Sequence, residues 1–125
     1  MATILIVDDE QPVRQFLVAA FEDEGHQVVE ASHGRHALSL ISSGSTRPDL
    51  VISDVMMPLV GGVELCRTLK ADPLTADIPI VLMSAAYPRA STGAGADAII
   101  GKPFDLDTLE ALVYRLLSAR RPGAA

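Results

Sequence analysis

Strand-like and helix-like segments alternate along almost the whole chain, and that alternation restricts the fold more than any other feature. Residues 3–7 (TILIV) are a continuous β-branched and apolar run, suited to a strand buried on both faces. The period then changes: Val13, Phe16, Leu17, Ala20 and Phe21 recur at helical spacing, with Pro12 in a first turn and Gly25 as the stop. Residues 27–31 predict a second strand. Ala37, Leu38 and Ile41 form the inward face of a second helix, broken by Gly44 and the STRPD stretch. A third strand over 50–53 ends at Asp54, and MMPLVGG leads to a third helix carrying Leu65, Cys66 and Leu69, stopped at Asp72-Pro73. The fourth strand is expected over 78–83, with Pro79 near its beginning, where a missing N–H is tolerated. A fifth spans 97–100. The last helix starts near Asp105, with Leu109, Leu112, Val113, Leu116 and Leu117 as its apolar face.

Such alternation implies right-handed βαβ crossovers and a doubly wound, five-stranded parallel sheet covered on both faces, an α/β fold. Residues 85–96 (AAYPRASTGAGA) depart from the pattern. A helix should cross there between strands four and five, yet Pro88, Gly93 and Gly95 interrupt a stretch with almost no apolar periodicity, so that crossover helix is expected to be short or irregular.

At 125 residues the chain makes one domain, 1–125, whose size buries roughly two-thirds of its unfolded surface. A formal net charge of −6 disfavours direct nucleic-acid binding, which needs clustered Lys and Arg, and favours a protein partner or a cation. The lone cysteine, Cys66, sits between Leu65 and Leu69 and reads as core. Met1-Ala2-Thr3 runs straight into a strand with no basic region before it, and no apolar stretch approaches the ~20 residues of a membrane span, so a cytoplasmic location is expected.

Polar signals close four of the strands: Asp8-Asp9 after TILIV, Asp54 after LVIS, Ser84 after IVLM and Lys102 after AIIG. In an open α/β sheet such positions converge outside the carboxyl ends of the strands. Carboxylates at Asp8, Asp9 and Asp54 would repel one another and raise each other's pKa, a cost that a divalent cation removes. Mg²⁺ suits them, because it takes oxygen ligands and is usually held by one or two carboxylates plus phosphate. Asp54, on a different strand from the acidic pair, is placed to act as a nucleophile toward phosphorus, with Ser84 offering a hydroxyl and Lys102 an ammonium to the transferring oxygens.

The segments VDDE at 7–10, SDVMMP at 53–58, GVELCRTLK at 62–70, PIVLMSA at 79–85 and GADAIIGKPF at 95–104 resemble the receiver domain of two-component response regulators, in order and across nearly the whole chain. The resemblance implies a flavodoxin-like fold with strand order 2-1-3-4-5, Mg²⁺ as cofactor, and a phosphoryl donor that is a histidine kinase or a histidine phosphotransfer protein. It implies Asp54 as phosphoacceptor, Asp8 and Asp9 as the acidic pair, Met56 as a metal ligand through its backbone carbonyl, Ser84 as the switch hydroxyl and Lys102 as the phosphate-binding lysine. The Lys102–Pro103 bond resembles one that is often cis in the family. A signalling domain is implied, one that assists its own phosphorylation and dephosphorylation without being classed as an enzyme, and no effector domain is expected within 1–125.

Three positions depart from the family pattern. Ile99 stands where an aromatic residue is common three places before the lysine, the span from Ser84 to Lys102 is about one helical turn short, and Gly61 replaces a common acidic residue. Tyr87 could take the place of the absent switch ring. His26, His33 and His36 share no metal-ligand spacing with an acidic partner and read as solvated surface residues. Other classes fit less well: an aspartyl-phosphate hydrolase of the haloacid dehalogenase type needs Asp-x-Asp after its first strand, and an acidic strand edge repels a flavin phosphate. The closer alternative is a receiver-like module that signals by docking without phosphorylation.

Overall fold

A computed structural model of the chain describes residues 2–85 and 95–119. Tyr87 and all but the ends of the irregular 85–96 stretch lie outside the described residues. The elements are β1 (Thr3–Val7), α1 (Gln11–Asp23), β2 (Gln27–Ala31), α2 (Gly34–Ser42), β3 (Leu50–Asp54), α3 (Gly62–Ala71), β4 (Ile80–Ser84), β5 (Ala98–Gly101) and α4 (Leu106–Ala119). The five strands form one parallel sheet in the order β2-β1-β3-β4-β5, which is the flavodoxin-like arrangement.

Strand side chains alternate between faces, so each strand feeds two cores. Leu5, Val7, Val51, Ile80 and Leu82 pack with Ala37, Leu65, Cys66 and Leu69 on the α2/α3 side. Ile4, Ile6, Leu50, Ile52, Val81 and Met83 pack with Leu17, Phe21, Leu109 and Val113 on the α1/α4 side. Cys66 is thus a core residue, fully buried as its helical neighbours predict.

Local signals end the elements largely as expected. Pro12 lies in the first turn of α1, and Gly25, at φ 92°, follows its C-cap. Phe16 belongs to the helical apolar spacing of α1 yet is 53% exposed, and the buried positions are Leu17, Val18 and Phe21. The buried stripe of this helix is narrower than its apolar stripe. β4 begins two residues later than expected, because the Ile78 N–H bonds back to Thr75 and Pro79 has none to give, although its carbonyl still accepts from Val51. Two of the histidines are structural. His26 accepts a hydrogen bond from the Ala2 N–H at 3.1 Å, and His33 caps α2 by accepting from the His36 N–H at 3.1 Å.

Candidate functional site: an acidic strand edge bridged by a lysine

Parallel register brings the polar ends of β1, β3, β4 and β5 to one edge. Val7 pairs with Ser53, Asp54 with Met83, and Ser84 with Gly101. The ladder continues past the strands: the Asp8 N–H donates to Ala31, Val55 to Met83, and Lys102 to Ser84. Extending the α1/α4 side's alternation to Asp8, Asp54 and Lys102 puts all three on the same face. Distances agree: Lys102 Nζ lies 3.1 Å from Asp54 Oδ1 and 3.5 Å from Asp8 Oδ2.

Burial makes this cluster electrostatically demanding. Asp8 is wholly buried and Asp54 is 6% exposed, whereas Asp9 faces solvent. Burial raises the Asp8 pKa above the ordinary carboxylate value, against the lowering effects of the Glu10 N–H at Oδ1 and of Lys102. Burial likewise raises that of Asp54, again opposed by Lys102 and reinforced by the Asp8 charge. For Lys102, burial acts to lower the pKa, but its hydrogen bond to Asp54 and the Asp54, Asp8 and Glu10 charges together raise it. One ammonium therefore stands among carboxylates that outnumber it. Carboxylate oxygens of Asp8, Asp9 and Asp54 all lie within 4.8 Å of one another, and Asp8 Oδ2 is buried with no hydrogen-bond partner among the described residues. An all-oxygen, anionic donor set with an unsatisfied buried oxygen fits a hard divalent cation.

Four of the expected residues, Asp8, Asp9, Asp54 and Lys102, thus meet at one point. Ser84 ends β4, almost wholly buried, and its carbonyl accepts from the Lys102 N–H. Met56, two residues after Asp54, turns its side chain out at 77% exposure. The Lys102–Pro103 bond is cis. The loop after Asp54 is closed by α3, whose Gly62 N–H donates to the Val55 carbonyl. A Cβ on Gly62 would stand 2.2 Å from the Asp54 carbonyl oxygen, so only glycine lets the helix start this near the site. A cavity of about 990 Å³ lies between α2 and α3, away from this cluster and sharing none of its residues.

Two neighbours escaped the sequence reading. Glu10 Oε1 lies 3.7 Å from Lys102 Nζ, and Arg14 Nη1 donates to the Asp8 carbonyl at 2.7 Å. Adjacency to the acidic pair could have flagged Glu10. A cation in the first turn of a helix, where the dipole disfavours it, could have flagged Arg14.

Fold and site together define a doubly wound parallel α/β domain with a lysine-bridged acidic strand edge. Residues 4–114 match the family described as the response regulator receiver domain, and the chain belongs to that family. It is 39% identical over 125 residues to the phosphate regulon transcriptional regulatory protein PhoB of Pseudomonas aeruginosa, an alignment spanning 97% of this chain and 54% of that protein. The signal receiver domain of a signal transduction histidine kinase from Syntrophus aciditrophicus superposes with a TM-score of 0.89 at 40% identity, covering 95% of this chain and 92% of that one. The response regulator protein TrrA of Thermotoga maritima, in complex with Mg²⁺-BeF, gives 0.83 at 33% identity, covering 93% and 99%. This chain spans about half the length of the curated response regulators it matches. No helix among the described residues is long and apolar enough to cross a membrane.

Proposed function

We propose that this receiver domain accepts a phosphoryl group on Asp54 from the phosphohistidine of a histidine kinase or histidine phosphotransfer protein in the cytoplasm, and that the modified site changes which protein it binds. The observation that carries this reading is the Lys102 ammonium 3.1 Å from Asp54 Oδ1 and 3.5 Å from Asp8 Oδ2. A cation so placed can follow negative charge from a carboxylate to a phosphoryl oxygen without leaving the site.

Asp8, Asp9 and Asp54 would hold Mg²⁺, with the Met56 backbone carbonyl as a further ligand. When bound, the ion offsets the carboxylate charge and the charge spread over the transferring oxygens. An Asp54 carboxylate oxygen attacks phosphorus; the new O–P bond forms as the donor's N–P bond breaks. The electron pair of that bond stays on the imidazole, which leaves neutral because its other nitrogen carries the proton. Lys102 then pairs with one phosphoryl oxygen, and the Ser84 hydroxyl donates to another. Drawing Ser84 and Lys102 toward the phosphoryl group biases β4 and β5 toward one of two conformers already in equilibrium. The activities of the longer relatives are theirs, and nucleic acid has no part in this reading of the acidic domain.

Mass measurement after incubation with acetyl phosphate and Mg²⁺ tests the proposal. One added phosphoryl group is expected on the wild type, and none on Asp54→Asn or with excess chelator. Undiminished labelling of Asp54→Asn, or an unmodified wild type, would overturn it; the second result is what the docking-only alternative expects.

A further inference from the structure

Arg14 occupies a place that helix electrostatics disfavour. It lies in the first turn of α1, a turn with no acidic residue, where the positive end of the helix dipole repels a cation. Its side chain is nevertheless only 14% exposed and makes two hydrogen bonds. Nε donates to Glu30 Oε1 on β2 at 2.9 Å, and Nη1 donates to the Asp8 carbonyl at 2.7 Å. Gln15 Nε2 donates to the same Glu30 oxygen at 2.9 Å, so the carboxylate is held as well as the guanidinium.

The carbonyl that Arg14 grips belongs to the peptide joining Asp8 to Asp9. Asp8 is fixed independently, by its N–H to Ala31 and by Oδ1 accepting from the Glu10 N–H at 2.9 Å. Asp9 has no such support. Its exposed carboxylate makes no hydrogen bond or ion pair among the described residues, so its position is set by backbone alone. A planar fork bridging a carboxylate and a carbonyl can fix a peptide plane; an ammonium, a single point of charge, cannot span both.

We infer that Arg14, with Glu30 as its counter-ion, is a positioning residue that sets the Asp8–Asp9 peptide and thereby aims Asp9 at the divalent cation. The inference rests on the Mg²⁺ reading above. Glu30 has two functions in it: it orients the guanidinium, and it cancels a positive charge that would oppose a cation nearby.

Calorimetric titration with Mg²⁺ alone, in wild type, Arg14→Gln, Arg14→Lys and Glu30→Gln, supplies the test, with a melting curve for each variant. Removing an outer partner of a metal ligand typically costs 10–100-fold in affinity. A Kd about tenfold weaker is expected for Arg14→Gln and about equally weak for Arg14→Lys. Glu30→Gln keeps an acceptor oxygen for Arg14, and about a threefold loss is expected that shrinks with added salt. A Kd within twofold of wild type in Arg14→Gln, or full recovery by Arg14→Lys, would overturn the positioning role. Should Arg14→Gln fail to fold, Arg14→Lys and Glu30→Gln decide by the same thresholds. A wild type that binds no Mg²⁺ would instead overturn the metal reading itself, and this inference with it.

Discussion

Leu59 sits in the loop between Asp54 and α3, with φ at 69°, a left-handed conformation that costs an L-residue about 1–2 kcal/mol. Its side chain is 65% exposed, so little burial offsets that cost. Glycine removes the steric penalty while adding some unfolded-state entropy, for a net gain of about 0.5–1 kcal/mol. Leu59→Gly should therefore melt a few degrees higher, by differential scanning calorimetry; an unchanged or lower Tm would show that the leucine packs to more effect than its exposure suggests. The residue scale is also where the sequence was most and least informative. Asp8, Asp54 and Lys102 were legible because each ends a strand whose neighbours fix its face. Arg14 was not, because its partners, Glu30 and the Asp8 carbonyl, become neighbours only after β2 pairs with β1. Strain at Leu59 was invisible for the same reason: φ belongs to the loop closure and not to the residue type.

Among the elements, α3 carries the tightest geometric demand. Its first residue, Gly62, lies against the Asp54 backbone, where a Cβ would meet the Asp54 carbonyl oxygen at 2.2 Å and Val55 Cα at 2.9 Å. Neither atom belongs to a flexible side chain, so Gly62→Ala must move either the helix or the site. A loss of about 2–3 kcal/mol is expected from such overpacking, read as a lower urea midpoint. Weaker Mg²⁺ binding should accompany it if Asp54 is a ligand as proposed; a variant as stable as wild type would mean that the approach is looser than the geometry states. Elements whose signals are local were readable in advance, as Gly25 after α1 and Pro12 at its start show. Which part of an apolar stripe is covered is set by tertiary contact: Phe16 belongs to the helical pattern of α1 but faces solvent, because the sheet covers only the stripe through Leu17, Val18 and Phe21.

The molecule as a whole responds to pH through its buried cluster. Asp8 and Asp54 have folded pKa values raised above their unfolded value of 3.8, so above about pH 4 the native state holds protons that the unfolded chain has released. Stability contributed by these two groups is therefore greatest at acidic pH and falls as pH rises through their folded pKa values. Lys102 acts at the other end: its raised pKa contributes stability below the unfolded value of 10.5, lost as pH climbs through the folded one. On the proposed Mg²⁺ reading, protons and the ion compete for the same oxygens. The Tm increase caused by Mg²⁺ should accordingly be larger at about pH 8 than at about pH 5, compared with chelator at each pH. Equal increases at both would show that the ion binds elsewhere.

β5 is the outer strand of the sheet, half-buried along its whole length, and only β4 separates it from β3. Whatever happens at Asp54 thus takes place two strands from a boundary that another protein can touch, with the Val55-to-Met83 and Lys102-to-Ser84 hydrogen bonds as the rungs between. A domain this small needs no long relay to make an internal event public; it needs only that its last strand be laid next to the one that hears first.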